Sequence, residues 1–139
     1  MKPSYLHIIV NIVYTYISVK DVRRTPAEIH WEGDSKEVLS GFPRDVKLSF
    51  GYSLRRLQNG EFPACETRSM ASIGKGVWEL KESDERAWYR VVYLTKIGGV
   101  IYVLHCFEKE SRKTDKRDVT SARARLKQVL KRIQEEKNG

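Results

Sequence analysis

Trp88-Tyr89-Arg90-Val91-Val92-Tyr93-Leu94, a Gly98-Gly99 turn, and Val100-Ile101-Tyr102-Val103-Leu104-His105-Cys106-Phe107 form the stretch whose reading decides the fold. Both halves are rich in β-branched and aromatic residues, and the glycine pair suits a tight hairpin, so the pattern predicts two adjacent antiparallel strands. Alternation places Arg90 on one face with Trp88, Val92 and Leu94, and Tyr89, Val91 and Tyr93 on the other. Arg90 thus stands where an apolar residue would be the easy choice. The second strand runs out into Lys109, Arg112 and Lys113. A guanidinium planted beside a cationic strand exit is what a protein needs to grip phosphates over a sheet, which makes RNA the first partner to consider.

Outward from this hairpin, Glu66–Ile73 reads as a strand, Gly74-Lys75-Gly76 as a tight turn and Val77-Trp78-Glu79-Leu80 as the next strand. Ser83-Asp84-Glu85 is the hairpin tip before Trp88. Earlier in the chain, Glu28–Trp31 is a short strand, and Asp34 with Glu37 makes a capping-box-like start to a short helix. Gly41-Phe42-Pro43 ends that helix and opens a second, with Pro43 near its first position. Val46, Phe50, Leu54 and Leu57 recur at helical spacing as its buried stripe, and Asn59-Gly60 stops it. After the hairpin, Thr114 caps a last helix with the stripe Val119, Ala122, Leu126, Val129 and Ile133. Helices, a meander of strands and a closing helix make an α+β domain.

The 139 residues are enough for one domain with a core that needs no staples. The net charge of +8 is unevenly placed: Lys109 to Arg132 holds ten Lys/Arg against three acids. A localised basic stripe argues for a polyanion more strongly than a diffuse excess, although solvated basic helix faces are common. Cys65 and Cys106 make no framework and fit a reducing, cytoplasmic setting. His7, His30 and His105 lack metal-ligand spacing, so no metal site is expected. Tyr5–Val19 is apolar but too short to span a membrane, and it lacks the basic start and cleavage site of a signal peptide. It reads as a strand-like arm joined by the linker Asp21–Pro26, so residues 1–25 form an extension of a domain over 26–139.

Several residues are candidates for chemistry. Glu79, one strand before Arg90, can pair with it, either as a cross-strand ion pair that fixes register or as the group that orients a phosphate-binding cation or accepts a proton. Spacing alone leaves the two readings level. Arg68 points toward the same concavity or is an exposed sheet cation. Lys75 sits in a turn without the spacing or following helix of a P-loop. His105 is the one histidine near the cations; a strand histidine is more often structural, and acid–base work is the minority reading. Lys109 and Lys113 read either as solvated cations or, with Phe107, Arg112 and Lys116, as a place where an aromatic and cations could clamp a base and its phosphate.

These residues fall into an ordered series of motifs. Trp31-Glu32-Gly33-Asp34-Ser35-Lys36, Phe42-Pro43 and Gly51-Tyr52-Ser53-Leu54-Arg55-Arg56-Leu57-Gln58-Asn59-Gly60 are followed by Gly76-Val77-Trp78-Glu79-Leu80-Lys81 and Tyr89-Arg90-Val91. Leu104-His105-Cys106-Phe107-Glu108-Lys109, Ser111-Arg112-Lys113-Thr114 and a helix with Ala122 and Arg125 close the series. Over roughly residues 29 to 131 the series resembles the phage-derived, HigB-like branch of the RelE/ParE toxin superfamily. The resemblance implies a helical hairpin packed on an antiparallel sheet of about four strands, with a basic C-terminal helix. It also implies a type II toxin neutralised by a helix-turn-helix antitoxin, acting on mRNA in the ribosomal A site. There the substrate 2′-hydroxyl attacks the adjacent phosphate, and neither cofactor nor metal is required because protein cations can stabilise the phosphorane. Carried onto this sequence, the pattern gives Arg90 and Arg68 to the phosphate, Glu79 to orientation or base duty, and Lys109 to charge stabilisation or leaving-group protonation. The chain departs from the pattern at Glu110, where relatives often repeat the lysine, and at Asp115, where they often have proline. Two other readings stand beside the nuclease: a ParE-like toxin that poisons DNA gyrase, and a non-catalytic module binding nucleic acid or antitoxin.

Overall fold

The computed structural model describes residues 25–111 and 115–139. The expected arm at Tyr5–Val19, the start of the linker, and Arg112, Lys113 and Thr114 lie outside the described residues. The elements are β1 (Glu28–Trp31), α1 (Ser35–Ser40), α2 (Arg44–Gln58), β2 (Glu66–Ser69), β3 (Val77–Ser83), β4 (Trp88–Ile97), β5 (Val100–Lys109) and α3 (Lys116–Asn138).

The domain is α+β, but its sheet has five strands in the order β1-β5-β4-β3-β2 and is mixed. Strands β2 to β5 form the expected antiparallel meander. Strand β1 adds at the far edge, parallel to β5, with Glu28 opposite Val100 and Trp31 opposite Val103. This corrects the expectation of about four antiparallel strands. Four residues pairing with a segment some seventy positions later leave no local pattern that reveals the partner.

Several boundaries also differ. The β2 strand stops at Ser69: the Met70 N–H still donates to the Val77 carbonyl, but its own carbonyl accepts the N–H groups of Ile73 and Gly74, closing a turn. Met70 and Ile73 are then buried beneath α3. Asp34 stands at the N-cap of α1 without making a side-chain capping bond. Pro43 is the N-cap residue of α2 rather than its first helical residue, and the N-cap position of α3 is Asp115, not Thr114.

The sheet lies between two helical layers. On one face Leu39 and Phe42 near α1 and Val46, Phe50 and Leu54 of α2 pack on Leu80, Tyr89, Val91, Tyr93, Ile101, Val103 and Cys106. The Phe42 ring meets Tyr89 edge-on at 5.1 Å. On the other face Ala122, Leu126 and Val129 of α3 cover Val77, Val92, Leu94, Tyr102 and Leu104. The odd and even positions of β4 thus serve different cores, as alternation requires. In β5 the alternation slips once: Val92 faces His105 while Tyr93 faces Val103, so Leu104 is the extra residue of a bulge. The bulge sends both Leu104 and His105 toward α3.

Candidate functional site

Beyond the area covered by α3, the same sheet face turns from apolar to charged. Register sets Arg68 of β2 directly opposite Glu79 of β3. Arg90 of β4 stands opposite Lys81, one step diagonally from Glu79. One carboxylate oxygen of Glu79 lies 3.4 Å from a terminal nitrogen of Arg68 and 3.3 Å from Nε of Arg90. Glu79 is fully buried, the Arg90 side chain is 3% exposed, and Arg68 is 49% exposed. A buried carboxylate is costly unless paired, and two guanidiniums offset that cost here. The trio carries one net positive charge, which Arg68 presents to solvent. The Arg90 guanidinium also lies 5.3 Å from the Trp88 ring centroid, within cation–π range.

Neighbouring ladder rows extend the charge. Lys81 pairs with Glu66 at 3.1 Å. Lys109 stands opposite Trp88 in β5, hence on the Arg90 face, and its ammonium is 3.8 Å from Asp115 at the start of α3. Lys116, the first residue of α3, is exposed. The structure therefore brings Arg68, Glu79, Arg90 and Lys109 to one face of the sheet. Arg90 is almost wholly buried, so a phosphate reaches it only past Arg68.

Phe107 and His105 lie on this same face, opposite Arg90 and Val92, but are buried there. Phe107 belongs to the core beneath α3, and its ring stacks on His105 with centroids 5.3 Å apart. Arg125 can only donate, so His105 Nδ1 accepts from it at 3.0 Å and Nε2 carries the hydrogen shared with Asp118 at 2.9 Å. Both ring nitrogens are occupied, which supports the structural reading of this histidine. The Arg125 guanidinium also donates to the Leu104 carbonyl and, at 2.8 Å, to Asp34. Asp34 thus binds α3 instead of capping its own helix. Gly33 makes room: its φ is +54°, and a Cβ there would approach the Arg125 guanidinium to about 2.5 Å. Arg132 and Glu32 form a second strut at 2.7 Å. The residue reading missed this network, because its members are scattered over a hundred positions.

The opposite face carries a separate apolar groove of about 570 Å³, lined among others by Leu57, Phe62, Pro63, Trp78, Tyr93 and Ile101. Among the described residues no group of three or more His, Cys, Asp or Glu side chains is placed to hold a metal ion. No helix among them is long and apolar enough to cross a membrane.

Residues 37–127 match the family described as phage derived protein Gp49-like (DUF891). The match spans well over half of the chain, so the chain belongs to that family. No curated protein and no solved structure matches it.

Proposed function

We propose that this member of the Gp49-like family is the toxin of a type II toxin–antitoxin system, an mRNA endonuclease of the HigB-like, RelE-related kind that inhibits translation. The reading rests on one observation: Arg68, Glu79 and Arg90 form a connected group on the sheet face that also carries Lys109. The phage-derived family and the RelE-like ordering of motifs support a toxin-like role.

In the proposed reaction the substrate 2′-oxygen bonds to the neighbouring phosphorus and the bond to the 5′-oxygen breaks, leaving a cyclic phosphate and a 5′-hydroxyl. Negative charge grows on the non-bridging oxygens, and cations already in place stabilise it without reorganisation. Arg68, half exposed, is the first guanidinium a phosphate reaches. Arg90 lies behind it, and RNA must enter the face for that guanidinium to share the charge. Glu79, held between the two, fixes both guanidiniums and is the carboxylate nearest to take the 2′-hydroxyl proton. Lys109, on the same face, contacts the phosphate and stabilises its growing charge, or protonates the departing 5′-oxygen. The partners in this reading are mRNA in the ribosomal A site and a helix-turn-helix antitoxin, with the protein acting in the cytoplasm.

The test is induced expression in a bacterial host with mapping of mRNA 5′ ends, comparing wild type with Arg68→Ala and Arg90→Lys. Loss of the Arg68 cation, or of the planar fork of Arg90, lowers the cleavage rate by about 10²–10³. Growth arrest with codon-phased cuts that fade in both variants supports the nuclease. Arrest without cuts refutes it in favour of another target such as gyrase, and absence of arrest favours a non-catalytic binding module.

A further inference from the structure

Asp115 has the extended backbone of an N-cap residue (φ −76°, ψ 149°), yet its carboxylate makes no capping hydrogen bond. Asp and Asn at this position ordinarily accept from a first-turn N–H, satisfying a donor that the helix leaves open. Here Oδ2 lies 3.8 Å from Lys109 Nζ. That separation is an ion pair rather than a hydrogen bond, a charge held near a charge by attraction alone. Asp115 is the more exposed partner, and the Lys109 side chain is largely covered. Asp118, one turn on, is committed to His105 and does not compete for the lysine. The carboxylate therefore has two partners within the fold: the lysine it meets, and the helix terminus it leaves uncapped.

We propose that Asp115 is an internal stand-in for a substrate phosphate: it occupies Lys109 while the site is empty and yields it to RNA, turning back to cap α3. The inference rests on the assignment of Lys109 as a phosphate contact. A phosphate arriving at Lys109 displaces a carboxylate that has another set of donors to accept, so displacement costs little. Weakly held polyanions fail to displace it, and RNA that engages Arg68 and Arg90 as well succeeds. Asp115 thereby lowers the affinity of any anion that Lys109 holds by a small factor.

The experiment measures fluorescence anisotropy with a short, mixed-sequence RNA carrying 2′-O-methyl riboses, which binds but cannot be cut. Asp115→Asn keeps the capping capacity and removes the charge, so melting falls by only about 1–4 °C. It binds this RNA about two- to five-fold more tightly, the range for a partly exposed ion pair. The gain disappears when Lys109→Ala is combined with Asp115→Asn. A gain that persists without Lys109 reflects net charge alone and overturns the proposal. Unchanged or weaker binding by Asp115→Asn, with Lys109→Ala weakening binding, overturns it while leaving the RNA site standing. If neither Lys109→Ala nor Arg68→Ala weakens binding, the RNA reading itself falls, and this inference with it.

Discussion

Arg90→Ala is the substitution that the proposed chemistry first invites, and the geometry says what it does to stability. Glu79 is fully buried, with one oxygen 3.3 Å from Arg90 Nε. Removing one member of a buried pair costs about 3–5 kcal/mol, because the remaining charge has lost its solvent and its partner. The cation–π contact with Trp88 adds about 0.5–1 kcal/mol. Arg68 stays 3.4 Å from the same oxygen and, half exposed, returns about 1 kcal/mol. The expected net loss is about 2.5–5 kcal/mol, against a total stability of about 5–15 kcal/mol. With stability above the low end of that range the variant folds, with melting lowered by about 10–20 °C. Urea titration followed by tryptophan fluorescence measures the loss, and the double variant Glu79→Leu with Arg90→Met supplies the control. Replacing both charges by apolar groups of similar size is close to neutral, so the double variant is more stable than Arg90→Ala alone. A loss below about 1 kcal/mol, or a double variant no more stable than the single, refutes the buried-pair account. It follows that weak toxicity of Arg90→Ala would mix folding with chemistry, and Arg68→Ala is the cleaner probe of the phosphate role.

Three further outcomes are expected. Arg125→Lys keeps the charge but loses the planar fork that serves His105, Leu104 and Asp34 together, and it destabilises by about 1–3 kcal/mol in urea titration. Burial pushes the thiols of Cys106 and Cys65 up, Cys106 far more, so a disulfide reagent at mildly alkaline pH labels Cys65 slowly and reaches Cys106 only after unfolding. Burial pushes the Tyr93 phenol up from 10 to about 12. The unfolded chain then holds fewer protons than the fold between these values, so stability declines as pH rises above 10. The loss reaches about 1–2 kcal/mol near pH 12, less than the full shift implies because the ring borders an open groove, and Tyr93→Phe removes it.

The parts of the fold written in local periodicity were legible in the sequence. The face assignment of Arg90 with Trp88 and Val92 follows from alternation, and the stripe Val46, Phe50, Leu54 from helical spacing. Glycine chemistry marked the Gly98-Gly99 hairpin and the end of α2 at Asn59-Gly60, where Gly60 has positive φ. Features fixed by distant partners were not legible. The parallel pairing of β1 with β5 and the bulge at Leu104 depend on segments that meet only in the folded chain. Asp34 shows the limit most clearly. Followed by Glu37, it has the local signature of a capping box, yet its carboxylate goes to Arg125, ninety-one residues later. The salt bridge of Glu79 with Arg90 was one of two readings that spacing left level. The structure makes the pair real, and the deep burial of Arg90 shows that it contributes to the fold whatever its role toward RNA.

The bulge connects these observations to the proposed site. Without the bulge, regular alternation continued from Val103 through Leu104 would turn His105 away from α3 and break its bond to Asp118. That bond, with the Arg125 bridge from Leu104 and His105 to Asp34, fixes the first turns of α3 against the sheet and against the start of α1. The first turn of α3 is also where Asp115 meets Lys109. The histidine therefore acts on the cationic face through the helix, by holding its first turn against the sheet. Disrupting Asp118 should loosen the Asp115–Lys109 pair and leave the Arg68–Glu79–Arg90 group in place, because that group belongs to three strands whose register does not depend on α3. The two halves of the site thus have separate supports, one built into the sheet and one delivered by the helix.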